Sequence, residues 1–337
     1  MILHPAIAAL ILASVLTSGM VVYSAFFGIQ IIKRWDIKSG SEGQLVLERR
    51  TYLISTILSY VLVFEIASLF LYIYTADGLH TLFVGAMCAA GTLNVNHYGY
   101  PTFFLKILNF ILAGLWLIVN FTDNQAYDYP LIKKKYAMLI VLVPLIIAES
   151  LSQMIYFASL HPDLITSCCG SLFCADKSNP GVVSDIVSAP VKTSMAVWCV
   201  SLAATFGLGF VYWAKEKLGR LFSFTSCITF FVSCVSLVSF VCLYFYELPT
   251  HHCPFCILQR EYGYVGYLLY AALLTGIVSG LGVGVLMTFR KEKSLSRSLP
   301  VIQKRLVLVC LVSYLFFAVV SAYRMASTDF TLGLLSL

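Results

Sequence analysis

The sequence predicts an all-α integral membrane protein with eight transmembrane helices and both termini outside the cytoplasm. Three observations lead there. About 60% of the residues are apolar and 11% charged, where soluble domains carry roughly twice that charge. Apolar runs long enough to cross ~30 Å of hydrocarbon recur near residues 5–32, 52–75, 102–121, 136–159, 193–214, 221–246, 256–288 and 304–323. Basic residues collect in alternate connections, which orients the chain. Only helices suit such runs, because backbone exposed to lipid must satisfy its own hydrogen bonds.

Each run has its own flanks. The first lacks a basic start and ends on Lys33 and Arg34, so it reads as a retained helix, not a signal peptide. Lys38, Arg49 and Arg50 precede the second; Lys133, Lys134 and Lys135 precede the fourth. Lys215, Lys217 and Arg220 separate the fifth and sixth, and Arg290, Lys291, Lys293, Arg297, Lys304 and Arg305 fill the last connection. The seventh run is too long for one crossing, so part of it is interfacial or tilted. The net charge of +6 therefore marks a cytoplasmic membrane surface, not a nucleic-acid site. No phosphate loop, hydrolase elbow or paired zinc knuckle appears.

The organisation reads as an N-terminal half over 1–135, a four-helix stretch over 136–288, and a basic loop, final helix and outer tail over 289–337. Residues 80–97 include the run Leu82–Ala90, too apolar for a wet loop, and are expected to be interfacial or re-entrant. Each half places cysteine in or beside the outer loop between its second and third helices: Cys88 in one, Cys253 and Cys256 in the other.

The cysteines carry the chemistry. Cys199, Cys227, Cys234, Cys242 and Cys310 fall within helices and read as small buried hydrophobes. Cys88, Cys168, Cys169, Cys174, Cys253 and Cys256 all fall on the outer side, where an oxidising compartment lets them form and exchange disulfides. The stretch Cys253-Pro254-Phe255-Cys256-Ile257-Leu258-Gln259-Arg260 puts a dithiol where a polar loop becomes a membrane helix. A helix N-terminus favours a thiolate. Arg260, at i+4 from Cys256, would share its face and could bond a quinone carbonyl. The competing readings are a structural disulfide, or a soft-metal site of His251, His252, Cys253 and Cys256. In those readings the chain is a non-enzymatic membrane subunit or a metal-handling transporter.

This eight-residue stretch resembles the quinone-proximal motif of bacterial DsbB-type thiol oxidases, in which two cysteines open a transmembrane helix and an arginine follows. The order of the wider chain resembles the vitamin K epoxide reductase family, a four-helix bundle with loop cysteines before the quinone-proximal pair. The resemblance implies a thiol:quinone oxidoreductase of the bacterial inner membrane. Its bundle would lie within 136–288. Cys168 or Cys169 with Cys174 would form a shuttle pair, and Cys253 with Cys256 the pair beside ubiquinone or menaquinone, in contact with Gln259 and Arg260. Its partners would be a periplasmic thioredoxin-like or other thiol protein, and other membrane subunits. The chain departs from both families: the loop spacing is shorter, a third loop cysteine is present, and an N-terminal half is added.

Among the remaining polar groups, Glu65 and Glu149 lie within helices two and four. Intramembrane carboxyls are costly and face protein, a cavity or a pathway. Glu149 is placed to relay protons for quinone chemistry and Glu65 to serve a proton or cation path, or each is a neutral or paired acid that ties helices together. Lys106, one turn into helix three, is expected to snorkel outward.

Overall fold

The structure is a computed structural model in which residues 4–37, 39, 41–161, 166 and 190–330 are described. Among them the chain is all-helical, with eight helices long and apolar enough to cross a membrane. It is a multi-pass membrane protein. The spans are α1 (Pro5–Arg34), α2 (Glu42–Gly78), α4 (Gly99–Asp123), α5 (Ile132–Ala158), α6 (Val191–Lys215), α7 (Gly219–Tyr246), α8 (Val265–Met287) and α9 (Ser298–Ser327); the five-residue α3 (Ala89–Leu93) lies between α2 and α4. Every expected run finds its helix, usually a turn longer at an end, because polar end residues continue the backbone hydrogen bonds past the apolar stretch.

The chain divides into two compact units. The first holds Met1–Thr75, Val95–His161 and Thr288–Ile302; the second holds Ala76–Asn94, Pro162–Met287 and Gln303–Leu337. The expected 136–288 bundle is thus drawn from both units. Within the first unit α5 packs on α1 and α4, joined by Ser14 Oγ to Ser150 Oγ (2.6 Å) and Gln153 Nε2 to the Leu10 carbonyl (3.1 Å). Within the second, α7 lies against α6 and α8, and Tyr314 of α9 donates to the Ser226 carbonyl (2.8 Å). Lipid supplies little hydrophobic drive between helices, so such hydrogen bonds and close packing carry association, at about 0.6–2 kcal/mol per bond.

The seventh apolar run departs from a simple helix. Cys256–Leu258 and Arg260–Tyr262 are separate 3-10 turns, Gln259 between them is extended (ψ 162°), and α8 begins only at Val265. The dithiol therefore does not open a transmembrane helix. The cause lies in Gly263 and Tyr264, both left-handed (φ 63° and 57°), which turn the chain before α8. A close approach fixes the turn: a Cβ on Gly266 would sit 2.7 Å from Ile257 Cγ2 and 2.9 Å from its carbonyl oxygen. Gly266→Ala should accordingly lower stability by about 1–3 kcal/mol, seen as an earlier thermal unfolding midpoint in detergent; an unchanged midpoint would show that this contact relaxes freely.

Candidate thiol site

The site is built by two connections of the second unit. In the first, α2 ends at Gly78, a 3-10 turn covers His80–Leu82, and Cys88 precedes α3 in an extended conformation. Leu82, Val84 and Met87 are exposed, whereas Cys88 through Leu93 are buried. The expected interfacial segment is therefore split between a surface stretch and a buried helical turn. Asp77 Oδ1 accepts from the Ala89 backbone N–H (3.1 Å) and so holds the start of α3.

In the second connection, Glu247 takes a left-handed conformation (φ 56°) and ends α7. Arg324 of α9 donates to the carbonyls of Tyr244 (3.2 Å) and Phe245 (3.3 Å) and pairs with Glu247 (2.9 Å), satisfying acceptors that a helix end leaves open. The chain then enters the thiol stretch, held by its backbone: Tyr246 donates its hydroxyl to the Cys253 carbonyl and Tyr270 to the Pro254 carbonyl. Gln259 Nε2 donates to the Met87 carbonyl (2.8 Å) and Asp77 Oδ1 (3.3 Å), stitching the two connections together.

This stitching brings three sulfurs into one cluster. Cys88 Sγ lies 3.6 Å from Cys253 Sγ, and the sulfurs of Cys88, Cys253 and Cys256 lie within 4.8 Å of one another. At 3.6 Å the first two are in contact without a bond, since S–S is about 2.05 Å. All three residues are buried, Cys88 and Cys253 completely. The Tyr246 and Tyr270 hydroxyls sit among the sulfurs of Cys242, Cys253 and Cys256. Nearby, burial and then Cys256 and Glu261 push the Tyr262 hydroxyl up, so it stays protonated at neutral pH.

The sequence-derived site residues fare differently. Cys253 and Cys256 come together as expected. Arg260 is exposed and does not stand one helical turn from Cys256, because extended Gln259 breaks the i,i+4 relation. The helix-terminal stabilisation expected for the thiolate is lost for the same reason, the turn after Cys256 being three residues long. Gln259 spends its amide donors on Asp77 and Met87. Glu149 belongs to the first unit. Cys168, Cys169 and Cys174 lie outside the described residues.

The expected alternative metal set does not assemble. His252 Nδ1 donates to the Val238 carbonyl (2.9 Å) inside a π turn at Leu237–Val241, and the His251 ring packs on Tyr246 at 4.6 Å between centroids. Among the described residues, Cys88 takes the third place beside Cys253 and Cys256, and neither histidine joins the group. Sequence reasoning noted Cys88 as one of six outer-side cysteines and through the parallel placement of cysteines in the two halves, without joining it to Cys253; nothing in the sequence marked Asp77, Tyr246 or Tyr270. The class that fold and site define is a multi-pass helical membrane protein with a buried three-thiol cluster. Comparison of the chain with family models, curated proteins and solved structures finds no match.

Proposed function

We propose that the protein is a thiol:quinone oxidoreductase of the bacterial inner membrane, with its exchanging cysteines on the outer face. The observation that carries this reading is the contact of Cys88 with Cys253 beside Cys256, three buried sulfurs within 4.8 Å. Disulfide exchange needs a thiolate attacking one sulfur while the other leaves. Here Cys253 has two neighbours that can exchange places. Attack by Cys88 on a Cys253–Cys256 disulfide forms Cys88–Cys253 and releases Cys256 as a thiolate. In the net reaction two partner thiols become a disulfide and the Cys253–Cys256 disulfide becomes two thiols. Reoxidation removes two electrons and two protons.

Cys253 is fully buried, so a protein partner reaches it through other cysteines. Cys168, Cys169 and Cys174 are the proposed carriers. In support, Thr166, two residues before Cys168, donates Oγ1 to the Gly91 carbonyl (3.0 Å) and its N–H to the Val84 carbonyl (3.0 Å), both in the Cys88 connection. Gly85 is needed there: at φ 89°, a Cβ would lie 2.1 Å from the Thr166 carbonyl oxygen.

A quinone, when bound, accepts the two electrons and two protons. Of the residues carried over by resemblance, Arg260 suits it best: its guanidinium is exposed and hydrogen-bonds no other described side chain, leaving a planar donor for a quinone oxygen. Gln259 is committed elsewhere and fits less well.

A Cys256→Ser protein treated with a small-molecule disulfide at the outer face of right-side-out vesicles, which takes up the two electrons and leaves as two thiols, should accumulate a Cys88–Cys253 disulfide, read by non-reducing peptide mapping. The lost thiol is the one that would resolve it. Retention of thiol oxidation with no cross-link at Cys253 would remove the exchange mechanism.

A second reading rests on the same triangle. Three thiolates around a soft ion at about 2.3 Å stand roughly 4 Å apart, close to the spacing here, and thiolate-only sites select ions such as Cu(I). Stoichiometric Cu(I) held by all three cysteines, with no turnover of thiols, would establish this reading instead.

A further inference from the structure

The first unit encloses a buried polar cluster of its own. Glu65 of α2, Lys106 of α4 and Glu149 of α5 are 5%, 2% and 1% exposed. Lys106 does not snorkel outward: Nζ donates to Glu149 Oε1 (2.6 Å) and Ser68 Oγ (3.0 Å), and stands 5.6 Å from the centre of the Tyr72 ring. The outward route would have left Glu149 as a lone charge in the bundle. Asn109 Nδ2 donates to Glu149 Oε2 (2.7 Å). The Glu65 carboxyl stands beside that of Glu149.

The charge count decides the protonation. One ammonium balances one of the two buried carboxylates and would leave the other as an uncompensated charge inside a membrane bundle, so one of them carries a proton. Glu149 holds the lysine and the asparagine, so the proton belongs on Glu65. Two atoms of the cluster, Glu65 Oε1 and Asn109 Oδ1, are buried and have no hydrogen-bond partner. We propose that Glu65, Glu149 and Lys106 form a membrane-embedded site that binds one exchangeable proton, held between the two carboxyls.

The titratable groups facing the site are few. Besides the triad they are Tyr72 of α2 and Tyr156 of α5, whose rings meet at 5.8 Å; α1 brings the neutral Ser14 hydroxyl, bonded to Ser150. Hydroxyls also lie between the cluster and the start of α4: Tyr72 donates to the Gly99 carbonyl (3.0 Å), and Thr102 shares a hydrogen bond with Ser152 (2.7 Å).

Infrared spectroscopy of the full chain in lipid, its cysteines alkylated so that thiol chemistry cannot contribute, tests the proposal. At neutral pH a protonated-carboxyl C=O band should be present, shift in D2O, and fade as the pH is raised. Glu65→Gln should remove it. Glu149→Gln should remove it too, because Glu65 then ionises to pair with Lys106. Lys106→Met should add a second carboxyl band, since neither acid keeps a counter-charge; retention on size-exclusion chromatography checks that each variant is folded. Absence of any Glu65-dependent band at neutral pH would overturn the proposal. So would a band that never exchanges with D2O, or one abolished by Na+ at constant pH, which would make this a metal-cation site.

Discussion

Cys253→Ser and Cys256→Ser should each reduce partner-thiol oxidation by roughly 10³-fold or more, because residues that act as one covalent unit lose nearly everything when either is removed. Cys88→Ser should cost much less. It touches Cys253 at 3.6 Å, yet its loss leaves the vicinal pair to be attacked directly by the proposed carriers Cys168, Cys169 and Cys174. Cys199→Ser should change nothing, since Cys199 is exposed on α6 away from the cluster. The ordering is more informative than any single value. A soft-metal site needs all three sulfurs alike, so equal, near-total loss of function for Cys88, Cys253 and Cys256 would favour metal binding. A graded loss, with Cys88 mildest, matches exchange through a vicinal pair. The assay is quinone-dependent oxidation of a small dithiol by the purified full chain in lipid.

The spans were legible because lipid imposes a length and a composition on any helix that crosses it. Eight runs announced eight helices. The turn at Gln259 was passed over although Gln259, Arg260 and Glu261 interrupt the apolar run there, because polar residues in the first turns of a membrane helix are equally compatible with a continuous helix at the interface. What breaks the helix is the left-handed pair Gly263 and Tyr264 together with the approach of Gly266 to Ile257, and that approach is tertiary. The i,i+4 reading of Cys256 and Arg260 failed for this reason. Half of the candidate site was visible as Cys253 and Cys256. Cys88 stands 165 positions away from Cys253, and only its outer-side placement and the parallel between the two halves hinted at it. Lys106 shows the same limit: one turn inside a helix, snorkelling and burial differ only by what waits on the facing helices, and here Glu149 was waiting.

Two buried ion pairs among the described residues of the first unit should respond very differently to loss of their acid. Lys135 Nζ lies 2.9 Å from Asp123 Oδ2, with exposures of 1% and 0%, and donates to Asn120 Oδ1 (3.0 Å). Asp123 Oδ1 also accepts the Leu131 backbone N–H (2.8 Å). Asp123→Ala therefore strands a buried ammonium and opens a backbone donor, which should lower the unfolding free energy by about 3–5 kcal/mol. Glu149→Gln removes the same kind of partner from Lys106, but Ser68 remains at 3.0 Å and the Glu65 carboxyl stands beside it. By giving up its proton Glu65 replaces the lost charge, and the cost should fall to roughly 1–2 kcal/mol. Removing the reserve restores the penalty: Glu65→Gln together with Glu149→Gln should cost as much as Asp123→Ala, well above the sum of the two single changes. Equilibrium unfolding in mixed micelles gives all four values. Additive single and double variants would show that Glu65 does not stand in for Glu149, and that the two acids of this cluster act independently of each other.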